Sequence, residues 1–464
     1  MGFGFAPWRS GGLISYAEDI MEGQLAGGHE VAYFFRGRHF PLLPDDRLRA
    51  WSCRGVRMLE LLNSSLGRGE EAGTLTPEAD LNHAPSERSF LRALDQFQPA
   101  VVHFQELMGL PSSLVDLARA RGLPVVATVQ DYALLCPVLK LYDVDGQLCL
   151  RQDVGAQCAR CCAWAPDNRR AFRYMTVQHE ISRIVGPKRA ERGMARVRDA
   201  TGRGVSERAD PPRERAPSAD AYQARRDVNL ARLGRVDALV AQSHRLAEIL
   251  EQLGVDPGRT SVMQFTLAHL AELTPRRIAR PPGHVRFVTL NSAVSRPKGS
   301  KLLAGAVAEL RAAGLAGRFT LTVLGPCSEE AARELGRFDE TVLHGPYLTR
   351  ELDRLLEGHH VGLVPSVWEE AYGYVGPELL AKGIPVIGNA RGGIPEYTRD
   401  GETGWLNRDV TPAGLAAVMA GVIERPGEIC ERNDWILEHR SELIKPLGEH
   451  LKELDELYRG LVAA

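Results

Sequence analysis

PSVWEEAYGYVGPELLAKGIPVIGNARGGIPEYTRDGETG, the stretch 365–404, decides the fold of this chain. It follows the apolar run 361–364, which is typical of a buried strand, and a helix is predicted over 377–382. A strand, a loop rich in turn formers and carboxylates, and then a helix form one unit of an open α/β sheet. Ligands bind in such sheets at the carboxyl ends of the strands. The loop therefore predicts a ligand site.

Two carboxylates in this loop are spaced for a shared role. Glu370 and Glu378 are eight positions apart, and Glu378 falls near the first turn of the predicted helix, where it can face the same crevice as Glu370. A carboxylate is a good bidentate acceptor for the neighbouring hydroxyls of a ribose. Hydrogen bonds to a charged group contribute about 1.5–3 kcal/mol each, so the pair predicts a nucleotide or sugar site.

A glycine-rich turn follows at 389–396. Gly392 and Gly393 leave room for backbone N–H groups to approach a phosphate at a helix N-terminus. The alternative interpretation of both segments is structural, with glycines that serve turn geometry and glutamates that are solvated. Either segment alone favours that alternative.

The rest of the chain predicts two α/β domains. After the prolines at 281–282, strands are predicted at 285–290, 319–325 and 384–387, with helices at 302–313 and 352–356. In the first half, strands are predicted at 31–35, 101–104, 124–129 and 238–241, with a helix at 114–121. Short apolar strands that alternate with helices indicate parallel sheets covered on both faces. A chain of 464 residues is also too long for one ordinary core.

Composition excludes several classes of protein. The formal net charge of −2 gives no global field for nucleic acid, and the sequence lacks an apolar run of the roughly 20 residues that span a bilayer. The first residues lack a basic region followed by an apolar stretch, and Ala6 does not fit a myristoylation signal. We therefore expect a cytoplasmic protein.

The order of these parts resembles a known family. PS…EEAYGY…ELLAKGIPVI…GGIPE…DGETGWL is similar to family 4 of the retaining glycosyltransferases, which carries two glutamates separated by seven residues, then Gly-x-Pro-Val, then a Gly-Gly-x-x-Glu turn. The resemblance implies a GT-B fold, in which two Rossmann-like domains face each other across a cleft and a C-terminal helix crosses back to the first domain. It implies transfer of a sugar from a nucleotide donor to an acceptor hydroxyl with retention of configuration.

The resemblance also implies roles for individual residues. Glu378 would grip the nucleotide ribose, Glu370 would lie near the donor sugar, and Lys298 would neutralise the leaving diphosphate. The other positions that would contact the donor are Gly11, Gly12, Tyr372, Gly373, Gly392, Gly393 and Ile394.

The chain departs from the family at two places. Asn291-Ser292 stands where a Gly-Arg pair is usual, so we expect Arg296 to supply that charge from another position. Gln130-Asp131 follows the strand that usually ends before a histidine. Gln130, Asp131 and His103 are therefore the candidates on the acceptor side, although His103 is at least as well explained as a core histidine.

Catalysis is expected to need no metal ion. The chain lacks a clear Asp-x-Asp clamp near the donor motif, and the literal match at Asp143 and Asp145 is interpreted as a turn. Leaving-group charge would instead fall to Lys298, Arg296 and helix N-termini. Two alternatives are a catalytically silent GT-B subunit, favoured by Ser292 and Gln130, and a GT-B sugar-nucleotide epimerase, whose motifs differ from these.

Cysteines are concentrated in one region of the first half. The four at positions Cys136, Cys149, Cys158 and Cys161 have a Cys-x-x-Cys end and two further thiols, which suits a structural zinc ion, while Cys162 is left over. The gaps differ from those of common zinc ribbons. Structural zinc and plain reduced, packed thiols both remain open.

A basic insertion interrupts the first half. Residues 165–229 hold about 15 Arg and Lys against about 9 Asp and Glu, with few aliphatic residues after Val205. We predict one or two exposed helices and then a loop near 199–220. It is interpreted as a solvated insertion, or as an arm that contacts an acidic acceptor or an anionic membrane surface.

These expectations divide the chain into three parts. Residues 1–278 would form the acceptor-binding domain, with the cysteine-rich loop 131–162; residues 283–435 would bind the sugar nucleotide; residues 436–464 would form a helix that packs on the first domain. The expected partners are a UDP-, GDP-, dTDP- or ADP-sugar and a sugar, lipid-linked or natural-product acceptor, without nucleic acid.

Overall fold

The structure is a computed structural model that describes residues 1–2, 4–5, 8, 11–40, 42–66, 73–163, 165, 169–186, 189–190, 193–194, 217–291 and 293–463. Side chains at 169–172 are not part of the description. The chain divides into two compact units. The first holds 1–241, 247–261 and 451–464, and the second holds 242–246 and 262–450.

The strands, numbered in chain order, are β1 Ala32–Arg36, β2 Arg47–Cys53, β3 Val56–Leu62, β4 Val102–Phe104, β5 Val125–Val129, β6 Ala238–Ala241, β7 Thr260–Val262, β8 Val285–Thr289, β9 Phe319–Leu324, β10 Thr341–Gly345, β11 Val361–Val364, β12 Val386–Asn389 and β13 Gly404–Asn407.

The helices of the first half are Gly12–Ala26, Pro77–Leu81, Ala84–Phe97, Ser113–Ala120, Gly155–Cys162, Arg169–Val185, Ala219–Leu233 and His244–Gln252. Those of the second half are Ser300–Ala312, Glu329–Gly336, Leu352–Leu355, Val375–Ala381, Ile394–Tyr397, Pro412–Glu424, Gly427–Glu438, Arg440–Leu443 and Leu447–Ala463. Short 3₁₀ turns lie at Pro257–Arg259, Ala268–Glu272, Arg296–Lys298 and Thr349–Glu351.

The first unit contains two sheets. One has the order β1-β3-β2, in which β1 and β3 run parallel and β2 and β3 run antiparallel. The other has the order β4-β5-β6-β7, with β4, β5 and β6 parallel. The antiparallel pair β2–β3 was not predicted. β2 has no buried position, whereas β3 is buried at all positions but Arg57, and the charged residues Arg57 and Glu60 interrupt its apolar run.

The second unit contains one sheet of order β10-β9-β8-β11-β12-β13, whose pairings are all parallel. β11 and β12 are buried along their whole length, as expected when helices cover both faces of a parallel sheet. Phe287 on β8 and Phe319 on β9 are fully buried, with ring centroids 6.1 Å apart. The predicted strands of this half are present, and the parallel strand pairings in both units, with helices between the strands, confirm the predicted α/β class.

The end of the chain differs from the prediction of one helical stretch over 435–461. The structure has three helices there, with a break at 444–446. Pro446 explains the break, since a proline lacks the N–H that a continuing helix needs but fits just ahead of a new one. Residues 451–464, which include most of the last helix Leu447–Ala463, belong to the first unit, where the Tyr458 hydroxyl lies 2.6 Å from His103 Nδ1.

The basic insertion is described only in part. Helices Arg169–Val185 and Ala219–Leu233 lie where helices were predicted, but Ala219–Leu233 is not the exposed helix that was expected, because Tyr222, Arg225, Arg226 and Arg232 on it are buried. The part of the predicted loop at 199–216 lies outside the described residues. Glu180 of the first helix accepts a 2.8 Å hydrogen bond from Arg38 Nη1. No helix in the described part of the chain is long and apolar enough to cross a membrane.

Candidate active site

Lys298 and Glu370 form an ion pair at the carboxyl ends of β8 and β11. The distance from Lys298 Nζ to Glu370 Oε1 is 2.7 Å. Lys298 closes the 3₁₀ turn Arg296–Lys298, and the next residue, Gly299, has φ +86°. A Cβ on Gly299 would lie 2.0 Å from the carbonyl oxygen of Pro365. Glycine is therefore required for the lysine turn to pack against the loop that carries Glu370.

Two further side chains donate hydrogen bonds to the Glu370 carboxylate, and a third donates to one of these two. Its Oε1 atom accepts hydrogen bonds from Ser366 Oγ at 2.6 Å and Trp368 Nε1 at 2.9 Å, and Asn291 Nδ2 donates to Ser366 Oγ at 2.9 Å. Glu370 is only 6% exposed. A buried carboxylate needs such partners, because leaving a charge unpaired there is costly. Asn291, which the sequence marks as a departure from the family, thus belongs to the chain of contacts that positions Glu370.

Glu369 ties the loop to the glycine-rich turn. Its Oε2 atom accepts a 2.7 Å hydrogen bond from the Gly392 N–H and lies 3.3 Å from Arg245 Nε. The Gly393 N–H donates to the Glu370 carbonyl at 2.8 Å. Sequence reasoning gave Glu369 no role and expected these N–H groups to approach a phosphate. In this structure both N–H groups are already engaged inside the protein, so a contact of that kind requires these bonds to open.

The two glycines of the turn are needed for close packing. Gly392 has φ +54°, and a Cβ there would lie 2.1 Å from the carbonyl oxygen and 2.3 Å from the nitrogen of Glu370. A Cβ on Gly393 would lie 2.8 Å from Tyr372 Cα. Backbone packs directly on backbone here, which only glycine allows. Ile394, which follows, is fully buried.

Glu378 lies in the first turn of the helix Val375–Ala381, as predicted, and contacts His269. The distance from His269 Nε2 to Glu378 Oε1 is 2.8 Å. Tyr347 is also close, since burial first and the Glu378 charge second raise the pKa of its hydroxyl. Neither residue was predicted, because His269 and Tyr347 are distant in sequence and match no motif.

Tyr372 is packed against neighbouring side chains of the second unit. It is 4% exposed, its ring makes an edge contact with Phe265 at a centroid distance of 5.1 Å, and its hydroxyl accepts a 2.8 Å hydrogen bond from Gln264 Nε2. Burial raises the pKa of this hydroxyl. Its contact with the donor stays a prediction. Gly373, with φ +93°, turns the chain beyond it.

The remaining donor candidates are exposed. Arg296 is exposed at the start of its turn, where it leaves its charge to solvent. Gly11 and Gly12 stand at the N-terminus of the helix Gly12–Ala26 in the first unit, with Gly11 at φ +117° and open space around it. A helix of this length presents unpaired N–H groups at that end. Ser292 lies outside the described residues.

The three acceptor-side candidates differ in their surroundings. His103 has both ring nitrogens engaged, with Nε2 2.7 Å from Thr128 Oγ1 and Nδ1 bonded to Tyr458. This arrangement favours the core interpretation of His103. Gln130 is buried and donates from Nε2 to Gln105 Oε1 at 2.9 Å.

Asp131 carries a carboxylate in a poorly solvated place. Its Oδ1 accepts a 2.7 Å hydrogen bond from the Ala133 N–H, while Oδ2 is buried and has no hydrogen-bond partner within the described ranges. Burial raises the pKa of this carboxyl to about 6. A carboxylate with a raised pKa is a candidate proton acceptor.

Two family models match the chain. The family model described as a glycosyl transferase 4-like domain matches residues 11–266. The family model described as glycosyl transferases group 1 matches residues 285–425. The first match alone covers more than half of the chain. The chain belongs to the group 1 glycosyltransferases.

Known members of this glycosyltransferase family match part of the chain. A D-inositol 3-phosphate glycosyltransferase from Thermobifida fusca is 30% identical over 217 residues, which are 41% of this chain and 49% of that protein. A protein of the same name from Corynebacterium efficiens is 28% identical over 221 residues, which are 44% of this chain and 52% of that protein. The matches thus span about half the length of these relatives.

Solved structures agree with the fold of group 1 glycosyltransferases. Sucrose-phosphate synthase from Thermosynechococcus elongatus superimposes with a TM-score of 0.63 at 16% identity, over 100% of this chain and 96% of that one. HepE from Anabaena, in complex with UDP and glucose, gives a TM-score of 0.59 at 12% identity, over 98% and 99% of the two chains. At this identity the likeness shows the GT-B fold, which was predicted.

The cysteine-rich loop of this glycosyltransferase packs as an apolar cluster. Cys149, Cys158 and Cys162 are buried together with Val154 and Tyr222. Burial raises the pKa of Cys161 and of Cys162 to about 11 in each case. In the described part of the chain no group of three or more His, Cys, Asp or Glu residues is placed to hold a metal ion. The arrangement favours packed thiols over the zinc set Cys136, Cys149, Cys158 and Cys161.

The Asp143–Asp145 pair forms a turn, as predicted. Asp143 Oδ1 accepts hydrogen bonds from the backbone N–H groups of Asp145 at 3.1 Å and Gln147 at 2.9 Å. Backbone hydrogen bonds and Arg151, at 3.0 Å from Oδ2, hold the pKa of this carboxyl below its usual value. The carboxylate is thus used within its own loop.

Proposed function

We propose that this protein transfers a sugar from a nucleoside diphosphate donor to an acceptor hydroxyl with retention of anomeric configuration. The observation that carries the proposal is the Lys298–Glu370 ion pair at the carboxyl edge of the second sheet. Parallel sheets bind ligands at this edge. A cation beside a fixed carboxylate suits a donor that places a diphosphate next to an electron-poor sugar carbon.

In the proposed step, the bond from the anomeric carbon to the diphosphate oxygen breaks as the acceptor oxygen bonds from the same face. The acceptor proton passes to the departing phosphate. The Lys298 ammonium has three N–H donors, so it can stay paired with Glu370 and also donate to the phosphate as negative charge develops there. Arg296 adds a second cation. Charge stabilisation of this kind is commonly the largest part of catalysis.

Donor recognition is assigned to the second unit. Glu378 would accept hydrogen bonds from the ribose hydroxyls, taking the place that His269 now occupies. Gly373, Gly392, Gly393 and Ile394 would shape the wall around the sugar and phosphates. Lys298 supplies the positive charge within the protein, so the proposed reaction does not depend on a bound metal ion.

The first unit is assigned the acceptor. Its candidates are Gln130 and Asp131 at the carboxyl end of β5. Gly11 and Gly12, in the same unit, would contact the donor, since the helix N–H groups there suit an anionic group. The acceptor class is a sugar, a lipid-linked sugar or a natural product that offers a hydroxyl.

Peripheral membrane contact is a further part of the proposal. The helix Arg169–Val185 exposes Met175, Ile184 and Val185, with 51%, 84% and 43% of their surface open, and Arg183 beside them. Apolar and basic residues on one exposed helix suit the surface of an anionic membrane. The fraction of protein that sediments with anionic vesicles should be smaller for Ile184→Glu than for the wild type. Equal fractions would contradict the proposed membrane contact.

The first experiment is thermal unfolding with UDP, GDP, dTDP and ADP, each with and without a sugar. A nucleotide that binds only the folded state stabilises it by about 2.7 kcal/mol at a hundredfold excess over Kd. We expect a shift with one nucleotide, lost in Glu378→Ala and kept in Glu402→Ala, a surface glutamate paired with Arg399. Detection of sugar transfer or donor hydrolysis with the same nucleotide sugar would complete the test. Absence of any shift would favour the silent subunit.

A further inference from the structure

Among the described residues, Glu378 has one side-chain hydrogen-bond partner, His269. His269 Nε2 lies 2.8 Å from Glu378 Oε1, and the two side chains are 14% and 12% exposed. The neighbouring glutamates are held by more contacts, since Glu370 accepts three side-chain hydrogen bonds, and Glu369 accepts one from Gly392 and lies beside an arginine. Glu378 is therefore the carboxylate of the site that exchanges its partner most readily.

The turn that carries His269 is fixed by its own packing. His269 belongs to the 3₁₀ turn Ala268–Glu272. Leucines spaced three residues apart lie on one side of a 3₁₀ turn, and those of this segment are all buried: Leu267, Leu270 and Leu273. Arg440 donates from Nη2 to the carbonyl oxygens of the last two leucines, at 3.4 Å each. Because the backbone is anchored, rotation of the imidazole is the simplest motion that breaks its contact with Glu378.

The imidazole and a ribose compete for the same carboxylate. An ionised carboxylate only accepts hydrogen bonds, so Nε2 of His269 carries the proton, and a ribose hydroxyl would also approach Glu378 as a donor. A buried carboxylate without a donor is unfavourable. His269 therefore stabilises Glu378 as long as no ribose is bound, and a ribose that reaches Glu378 replaces this contact.

We propose that His269 is a competitor of the donor ribose that the protein carries within its own site. In the free protein the imidazole pairs with Glu378, and it turns away when a nucleoside diphosphate brings its ribose hydroxyls to the same carboxylate. This rests on the proposed function, because it takes Glu378 as the ribose-binding residue. It adds that the affinity for nucleotides is set by an exchange of partners and not by new contacts alone.

The exchange lowers the apparent affinity for nucleotides. A protein whose binding-competent state is populated one time in ten binds about tenfold more weakly than that state alone. The donor and the diphosphate product carry the same ribose, so the competition acts on both. The return of His269 to Glu378 then favours release of the product, a step that limits the turnover of many enzymes.

The direction of the effect separates a competitor from a ligand contact. Removal of a side chain that contacts the nucleotide weakens binding. Removal of His269 should instead strengthen binding, because Glu378 is left without its donor in the free protein and a ribose hydroxyl restores one. The same loss should lower the Tm of the nucleotide-free protein, so stability and affinity change in opposite directions.

The test measures the Kd of UDP, GDP, dTDP and ADP by titration calorimetry, together with the Tm of the nucleotide-free protein. We expect His269→Ala to lower Tm and to bind the nucleotide that the wild type prefers about tenfold more tightly. His269→Gln offers an amide N–H in place of Nε2 and should keep both values near those of the wild type. His284→Ala is the matched control and should change neither value, because His284 is an exposed residue of the same unit whose Nδ1 lies 3.0 Å from the Gly317 carbonyl oxygen.

The outcomes separate this proposal from the proposed function. Weaker binding by His269→Ala would identify a direct contact with the nucleotide, and unchanged binding would show that there is no competition. Either result overturns the competitor and leaves the ribose role of Glu378 standing. If Glu378→Ala binds as tightly as the wild type, or if none of the four nucleotides binds to the wild type or to His269→Ala, the ribose assignment and the competitor are both overturned.

Discussion

Lys298 Nζ lies 2.7 Å from Glu370 Oε1, although 72 positions separate the two residues in sequence. Both charges depend on the loop geometry around them, with Gly299 on one side and Ser366 and Trp368 on the other. The ion pair is therefore formed by the fold of the second unit. Substitutions at these two residues should reduce the rate of sugar transfer most.

Replacing Lys298 should reduce transfer strongly. Lys298→Ala removes the cation that we place beside the leaving diphosphate, and loss of one preorganised donor costs roughly 10²–10³-fold in kcat. Steady-state rates with the nucleotide sugar identified by thermal shift give the measurement. Lys301→Ala is the matched control, because Lys301 pairs with Glu330 at the surface of the same unit. Rates for Lys298→Ala within twofold of the wild type would rule out the role.

A methyl group at Gly392 should disturb the Glu370 loop. Gly392→Ala brings a Cβ into the backbone of Glu370 at a residue with φ +54°. Overpacking and a left-handed alanine together are expected to cost roughly 2–4 kcal/mol. Gly401→Ala is the control, since its φ is +85° but open space surrounds the added methyl. Its cost should stay near 1–2 kcal/mol. Equal Tm losses for the two variants would contradict the packing argument.

The pH dependence of stability should show the burial of Asp131. Its folded pKa of about 6 lies above the usual value near 3.9. Between these values the folded state holds a proton that the unfolded chain has released, so stability falls as pH rises and stays lower above pH 6. Asp131→Asn should therefore raise Tm at pH 7.5 and change it little at pH 4.

The comparison for Asp131 is made against Asp145→Asn, an exposed carboxylate paired with Arg160. That variant should show no rise in Tm at either pH. If Asp131→Asn lowers Tm equally at pH 4 and pH 7.5, the charged Asp131 carboxylate does not destabilise the folded state. A loss of transfer rate in Asp131→Asn alone would in addition support its acceptor-side role.

Metal removal should leave the cysteine-rich loop intact. Cys158 and Cys162 are buried beside Tyr222, and burial raises the pKa of both thiols, so protonated sulfur is favoured. Prolonged dialysis against a chelator is expected to leave Tm unchanged, and metal analysis of the purified protein should give no stoichiometric zinc. A fall in Tm accompanied by zinc release would restore the zinc interpretation.

Much of the fold could be predicted because buried parallel strands are continuous apolar runs. β5, β6, β11 and β12 are buried along their whole length, and each was predicted from sequence. β2 and β10 hold only half-buried and exposed positions, and neither was predicted. The break before Leu447 was also missed, since the apolar spacing on its two sides resembles one continuous helix.

The candidate site was predictable where a motif carries it. Glu370, Glu378 and Lys298 come from such motifs. His269 and Tyr347 lie beside Glu378 through folding alone, and their sequence surroundings give no signal. Asn291 was noted only as a departure from the family, without its contact to Ser366. For the two glycines the motif identifies the residues but not their contacts. Only the structure shows that the N–H groups of Gly392 and Gly393 donate to Glu369 and Glu370.

The helix Leu447–Ala463 has a consequence for synthesis on the ribosome. Residues 451–464 belong to the unit that begins at Met1, while residues 262–450 are made between them. At about 5–20 residues per second, those intervening residues take on the order of 10–40 s to translate. During that time the nascent first unit lacks the helix whose Tyr458 contacts His103 and Gln24. The same helix lines an apolar cavity that Ile20 also lines. Apolar surface is thus open to chaperones until translation reaches the last helix.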